Sequence, residues 1–428
     1  MSPLLWSIVI FVGSLVLYAT GIMPMSAVSV LTVLAYVVTG CLDTGKALSG
    51  FADPTAMIYA SMYVLAAGFQ RTRFMNTLSD WVVKVSKGSM KWAWLGYLLM
   101  AALLTSFVPS PISAFLVISP LCIRTCRSFG EDPRKYLFPL AAVSIGCCFT
   151  LPFGSAISQS YLSNSFFEAY GLGQYTMIPT DAIRGRWPAT VLLLVWAYFS
   201  GLRAKTESAE GIDFSRFVPA QQEKPLSRLA EWMGPIIFFG TIVLMALGRY
   251  LGIETWQACM AGALAMVIFR VLTEKEAYRA LPMSVIFLYV GAVATGNALI
   301  QTGAGTLIGD FLAGLLGNTT NNYLVGALFY LIPYLLTQVL LNSGVTALFR
   351  PVLLLVCASL GANPVGPSIL MLSASVSSFF SPMATPVVPA CMELGGYRTK
   401  TLVRRGWWIS ALLAAVQIIY VMTVFPAF

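Results

Sequence analysis

Histidine is missing from all 428 residues, and Asp, Glu, Lys and Arg together make up only 10% of the chain. The first absence removes the side chain that titrates near neutral pH and the commonest metal ligand. Neither a Ser-His-Asp hydrolase triad nor a His-Glu-x-x-His zinc site can then be built, which counts against an intramembrane enzyme. The second absence sets the chain far below the roughly 25% charge of soluble domains. Paired CxxC spacing is also lacking. The eight cysteines (Cys41, Cys122, Cys126, Cys147, Cys148, Cys259, Cys357, Cys391) lie mostly inside apolar runs and read as small packing residues, the i, i+4 pair Cys122 and Cys126 included.

What is present is apolar: 58% of the residues are hydrophobic. Runs of about 20 residues, enough to cross roughly 30 Å of hydrocarbon as helix, recur from residue 4 to the C-terminus. The expected class is a polytopic all-α membrane protein. The opening Met1-Ser2-Pro3-Leu4 carries no basic region, so the first segment is expected to stay as a transmembrane helix. The net charge of +9 is spread over short loops, as orientation in a membrane requires, with no clustered patch for nucleic acid.

Four small polar, glycine or proline patches interrupt the apolar runs. Thr105 to Ser113 joins apolar arms at about 92–108 and 111–127, and Thr150 to Ser155 breaks a helix at about 136–165. Thr337 to Thr346 then joins arms at about 322–340 and 345–360, and Ser381 to Pro386 breaks a helix at about 365–392. Lipid cannot satisfy unpaired backbone, so such breaks are tolerated only in protein or around a cavity. Two copies of an interrupted pair point to a secondary transporter. Prolines and serines that merely kink packed helices are the plainer alternative; four breaks in two matched pairs favour binding.

The copies keep a nearly constant offset: Thr72 with Thr302, Asp80 with Asp310, Pro120 with Pro351, Pro152 with Pro382, Ser155 with Thr385. This predicts an internal duplication, with a first repeat at 1–202, a charged cytoplasmic linker at 203–231 and a second repeat at 232–428. If each pair of arms is a re-entrant hairpin, each half has five full crossings and the second is inverted. Segments 71–135, 203–231, 270–282 and 398–405 then face the cytoplasm with 21 of the 26 basic residues, leaving Lys46, Arg184, Arg186, Arg249 and Arg350 outside with both termini.

Half-helix N-termini at the breaks would carry partial positive charge and free N–H groups that suit an anion. Unwound carbonyls and the hydroxyls of Ser110, Ser113, Ser155, Ser343, Thr346 and Thr385 could ligate a hard cation such as sodium. The candidate site is therefore Ser110, Pro111, Ser113, Thr150, Pro152, Gly154, Ser155, Asn342, Ser343, Gly344, Thr346, Ala384, Thr385 and Pro386, with sodium at Ser110, Ser155, Asn342 and Thr385. Arg350 is expected to snorkel or pair structurally, with attraction of an anion as the alternative. Asp80 and Asp310 read as caps or ion pairs. No Asp or Glu lies within the four breaks, which weakens a proton-antiport reading.

Phe51-Ala52-Asp53-Pro54, Val64 to Thr72, Asn342-Ser343-Gly344-Val345-Thr346-Ala347 ending in Pro351, Ala384-Thr385-Pro386 and Gly395-Gly396-Tyr397 resemble the divalent-anion:sodium symporter family of the ion transporter superfamily. Asn342-Ser343 matches the second and third places of that family's Ser-Asn-Thr signature, and Ala384-Thr385-Pro386 its Thr-Pro loop. The resemblance implies an inverted-repeat homodimer with scaffold and elevator-like transport parts, carrying dicarboxylates, tricarboxylates or sulfate with sodium. Leu341 replaces the signature Ser, the first copy reads Ser110-Pro111-Ile112, and Ser158 and Val388 stand where the family usually places sodium- and substrate-ligating Asn. The expectation is a sodium-coupled carrier of small anions in a prokaryotic inner membrane, with an antiporter or oxyanion exporter of the same superfamily as the alternative.

Overall fold

In the computed structural model the chain is a set of helices, described over residues 2–20, 22–86, 88–107, 111–204, 226–281, 283–315, 320–338, 342–382 and 384–428. Ten precede the linker: α1 Pro3–Thr20, α2 Met25–Val38, α3 Thr44–Ala52, α4 Pro54–Arg71, α5 Phe74–Val85, α6 Met90–Phe107, α7 Pro111–Ser128, α8 Arg134–Gly146, α9 Gly154–Ala169 and α10 Pro179–Arg203. Ten follow it: α11 Arg228–Leu251, α12 Thr255–Ile268, α13 Glu274–Ala280, α14 Met283–Thr302, α15 Ala304–Leu315, α16 Asn322–Leu336, α17 Asn342–Leu360, α18 Val365–Ser375, α19 Val387–Gly395 and α20 Thr399–Val424. No strand occurs among the described residues. The linker at 205–225 and Ser110 lie outside the described residues, as do the side chains of Ser113 and Ser343.

The surface shows which solvent this fold is built for. Leu34, Val38, Val195, Ile236, Leu264, Leu335 and Ile419 point outward, while Ser29, Ser106, Ser144, Ser155, Ser160, Ser163, Ser373 and Ser378 are buried. A water-soluble domain arranges these the other way round; small polar residues between helices with aliphatic side chains outside fit a bilayer. Among the described residues three helical stretches are long and apolar enough to cross one by themselves, Met90–Phe107, Arg228–Met245 and Thr399–Val424, with shorter apolar helices such as Asn322–Leu336 beside them.

Local backbone turns recur along the chain at the offset seen in the sequence. Gly40 and Arg270 both have left-handed φ, and in each turn two N–H groups fold back on one carbonyl, Tyr36 O in the first and Met266 O in the second. Gly130 and Gly361 repeat the same relation, with Glu131 N donating to Cys126 O and Ala362 N to Cys357 O at 2.8 Å each. Short α3 and α13 are both started by a side-chain cap, Asp43 on Lys46 N–H and Thr273 on Glu276 N–H. Packing is reciprocal as well: α2 lies on α14 while α4 lies on α12.

Two main hydrophobic cores result. One joins α4, α6, α7, α8, α11 and α12 with α19; the other joins α1, α14, α16, α17 and α18 with the end of α9. Each core thus holds the first part of one broken helix and the second part of the other.

Helix extents correct the sequence reading in several places. α10 begins at Pro179 and α20 at Thr399, each eight residues before the apolar runs at about 187–202 and 407–426 that the sequence predicts as helix, because both starts carry charged residues that the hydrophobic pattern leaves out. Pro179 stands at N1 of α10, and the Asp181 carboxylate accepts the Ile178 N–H at 2.9 Å. Arg186, expected in an outside loop, therefore lies two turns into α10 and is 4% exposed. α15 occupies the glycine-rich stretch that runs on from α14 to about residue 321, where the sequence predicts no helix, and it predicts none at α3 or α13.

Candidate functional site

Both expected helix breaks are present: α8 stops at Gly146 and α9 starts at Gly154, while α18 stops at Ser375 and α19 starts at Val387. The first is drawn against the first hairpin. Ser155 Oγ donates to Ser106 O at 2.7 Å, Phe107 and Phe153 stack with centroids 5.0 Å apart, and a Cβ on Gly154 would stand 2.6 Å from Phe107 O. Only glycine allows that approach.

The second break is stitched to the second hairpin. Asn342 N–H donates to Ala384 O at 2.9 Å, and Thr337 Oγ1 donates to Asn342 Oδ1 at 2.5 Å. Ser381 Oγ donates to Gln338 O at 2.6 Å and Ser378 Oγ to Gln338 Oε1 at 3.0 Å. Thr385 is buried, and its Oγ1 accepts the Val387 N–H at 3.4 Å. Gly344 is buried, Thr346 half-buried and Pro386 exposed at the same end.

Two further contacts close a ring. α7 of the first hairpin packs on α19, so Ala114 and Phe115 share a core with Val387 and Val388. Arg350 on α17 donates to Ser163 Oγ at 3.2 Å and Gln159 Oε1 at 3.4 Å, both on α9, and lies over the Phe166 ring at 5.1 Å. It is buried and does not snorkel. α9, the first hairpin, α19 and α17 are thereby linked in sequence and back to α9.

The four helices that begin at these breaks share a further property. Like most helices of the chain, α7, α9, α17 and α19 carry no acid in the first turn. The N-caps of α9 and α19, Phe153 and Pro386, supply no side-chain hydrogen bond. Each such end is worth about half a positive charge, and here no carboxylate of the first turn offsets it.

Thr150 and Pro152 belong to the first break, but Thr150 turns away from the hairpin: its Oγ1 lies 3.2 Å from Thr190 Oγ1 on α10. One turn earlier on α10, Arg186 donates to Cys148 O and, at 2.9 Å, to Gly146 O. The next residue, Phe149, holds φ of 60°, a left-handed conformation that costs a bulky residue roughly 1–3 kcal/mol and needs such support. Arg186, Thr190 and Ser378 are the site neighbours the sequence reading missed, while Gln338 lies within the expected break. Pro179 with Asp181, a helix start, was the available signal for Arg186.

Charged residues of the segments 71–135, 203–231 and 270–282, expected to share one face, do meet. Arg71 pairs with Glu276, Arg73 N–H donates to Glu231 at 2.9 Å, and Arg124 pairs with Asp80 at 2.9 Å. Asp80 is an ion-pair partner, as read from the sequence. Burial alone would raise the Glu276 carboxyl, but the Thr273 N–H and hydroxyl and the Arg71 guanidinium outweigh it and hold the carboxyl below the usual range.

The chain matches the citrate transporter family over residues 15–372. It belongs to that family. Members of the citrate transporter family are membrane transporters, which agrees with the divalent-anion:sodium symporter resemblance carried by Asn342–Ala347 and Ala384–Pro386. An uncharacterised transporter of Synechocystis is 30% identical over 52% of the chain and 36% of its own length. One of Haemophilus influenzae is 22% identical over 94% of the chain and 87% of its own length. The chloroplast dicarboxylate transporter 1 of spinach is 26% identical over 62% of the chain and 48% of its own length. The chain thus spans about a third of the first of these relatives and about half of the last. Two solved structures share the fold at 15% identity. YdaH of Alcanivorax borkumensis gives a TM-score of 0.60 over 90% of the chain and 88% of that structure. MtrF of Neisseria gonorrhoeae, described as one of a class of antimetabolite efflux pumps, gives 0.57 over 100% and 96%.

Proposed function

We propose that this transporter carries small dianions and trianions, di- and tricarboxylates before sulfate, through a site between α7, α9, α17 and α19. The observation that carries the reading is the ring of contacts joining four helices whose first turns hold no acid. Four such N-termini amount to about +2, which balances a dicarboxylate. Ser155, Asn342 and Thr385 mark the break ends, and with Ser110 they are the proposed sodium-linked positions. The family's description as citrate transporters and the spinach dicarboxylate transporter's name support carboxylates over sulfate.

The recurring turns at Gly40 and Arg270, and the reciprocal packing of α2 on α14 and α4 on α12, support two matched halves, 1–202 and 232–428, and the distribution of basic residues is the ground for inverting them, with a cytoplasmic linker and both termini outside. Alternating access then follows as one bundle slides on the other within a homodimer in an inner membrane. Uptake of labelled citrate, succinate, malate and sulfate into proteoliposomes, with and without a sodium gradient, tests this. Accumulation of a carboxylate driven by sodium is expected; no uptake of any of the four above empty liposomes would refute it.

A further inference from the structure

The ends of α8 and α18 come together back to back. A Cβ on Gly146, the last residue of α8, would stand 3.7 Å from the carbonyl oxygen of Val376, which caps α18. Helix C-termini carry about half a negative charge each, so this junction gathers close to a full negative charge in a buried place where water cannot screen it. A cation is favoured there.

Arg186 already supplies one. Its side chain crosses from α10 to the carbonyls of Gly146 and Cys148, the unwound end of α8, with Tyr330 of the second half within electrostatic reach. The carbonyls it holds are of the kind an exchangeable hard cation would need. Among the described residues its Nε has no hydrogen-bond partner, and no carboxylate neutralises it, so its charge faces the helix ends alone.

The other end has no such occupant. Ser377 O, one residue past the α18 cap, accepts Ser410 Oγ of α20 at 3.1 Å, and Ser377 Oγ accepts the Tyr330 hydroxyl at 2.8 Å. These are neutral groups at the end of α18, and the repeat offset places Val416 and Gln417, also uncharged, where the first half has Arg186. One guanidinium, at +1, balances both half-charges.

We propose that Arg186 is a tethered cation that takes the place of one exchangeable coupling ion at the paired ends of α8 and α18. It is a positioning residue: it touches no substrate and acts by holding the first break in register. The idea rests on the carrier reading for its use in transport, because a fixed cation leaves no ion to release at the carbonyls of Gly146 and Cys148. The carrier would then couple to fewer sodium ions than two equivalent halves could bind.

Charge and hydrogen-bond geometry are separated by Arg186→Gln, which keeps an amide donor without charge, and Arg186→Lys, which keeps charge without the fork. Each purified full-length variant is melted in detergent in 150 mM choline chloride, 150 mM sodium chloride, and choline chloride with 10 mM guanidinium, with no substrate present. The expected result is that R186Q melts below the unaltered protein in choline, and that sodium or guanidinium raises its melting temperature by about 3 °C more than that of the unaltered protein. R186K should melt near the unaltered protein and show no added response. Equal losses in both variants without an added cation response, or an R186Q that keeps the full melting temperature, would overturn the proposal. If R186Q yields no folded protein, R186K decides alone: a folded, cation-indifferent R186K supports the tethered cation, and an unfolded one overturns it. Because the readout needs no transported anion, failure to find a substrate leaves this result intact, and failure here leaves the uptake assay intact.

Discussion

Gly154→Ala is the sharpest test of how the first break is held. The added Cβ would lie 2.6 Å from Phe107 O and 2.6 Å from Met62 Cε, against about 3.4 Å for ordinary contact. Met62 can swing its methyl group away. Phe107 O is main chain at the end of α6, so α9 itself has to retreat by several tenths of an ångström. Overpacking of this kind costs about 1–3 kcal/mol, and the shift displaces the Ser155 hydroxyl from Ser106 O along with the α9 N-terminus. A misplacement approaching 1 Å at a reacting or binding group costs on the order of tenfold to a hundredfold. Uptake of labelled citrate or succinate by G154A proteoliposomes should fall at least tenfold, with melting lowered by a few degrees. Gly240→Ala in α11 is the control, since nothing lies within 4 Å of its Cβ position; it should be neutral or slightly stabilising. A folded G154A that transports within twofold of the unaltered protein would refute the close approach as a functional constraint.

Asn342→Ala removes the acceptor for Thr337 Oγ1, and Thr385→Ala the acceptor at the α19 start; both should abolish uptake while melting within a few degrees of the unaltered protein. Normal uptake by both would remove the second break from the site. Glu276→Gln should lower the melting temperature at pH 7 by one or two degrees. The folded carboxyl is depressed, so its contribution is complete above the usual carboxylate value of about 4.3 and is lost as pH falls through the lower folded value; a gap between variant and unaltered protein that failed to close below about pH 4 would contradict the assignment. All eight native cysteines are buried, so an impermeant maleimide should label Ser49→Cys in intact cells and Lys84→Cys only after permeabilisation. The reverse pattern would invert the proposed topology.

The breaks were legible because Pro152, Gly154, Pro382 and Pro386 are local chemistry: each disfavours regular helix within an apolar run wherever it occurs. The resemblance to the divalent-anion:sodium symporters, with which the citrate transporter match agrees, was legible for the same reason, through Asn342–Ala347 and Ala384–Pro386. Charged helix starts were not. Arg186 looks like loop from its neighbours Arg184 and Trp187, and only the carbonyls of Gly146 and Cys148, 40 and 38 residues away in sequence, make it part of a buried helix. α20 repeats the lesson, since Arg405 is packed over the Phe138 and Tyr397 rings. Short α3 and α13 escaped because a seven- or nine-residue helix leaves too little periodic pattern to read, and its caps Asp43 and Thr273 are common turn residues.

The account depends most on a doubly charged anion lying among the starts of α7, α9, α17 and α19. Sodium-gradient-driven uptake of labelled citrate and succinate into liposomes holding the purified protein, compared side by side for the unaltered chain and Asn342→Ala, measures that directly. The account predicts accumulation by the unaltered protein well above empty liposomes and none by the variant; equal accumulation by both, or none by either with any anion of the panel, would contradict it.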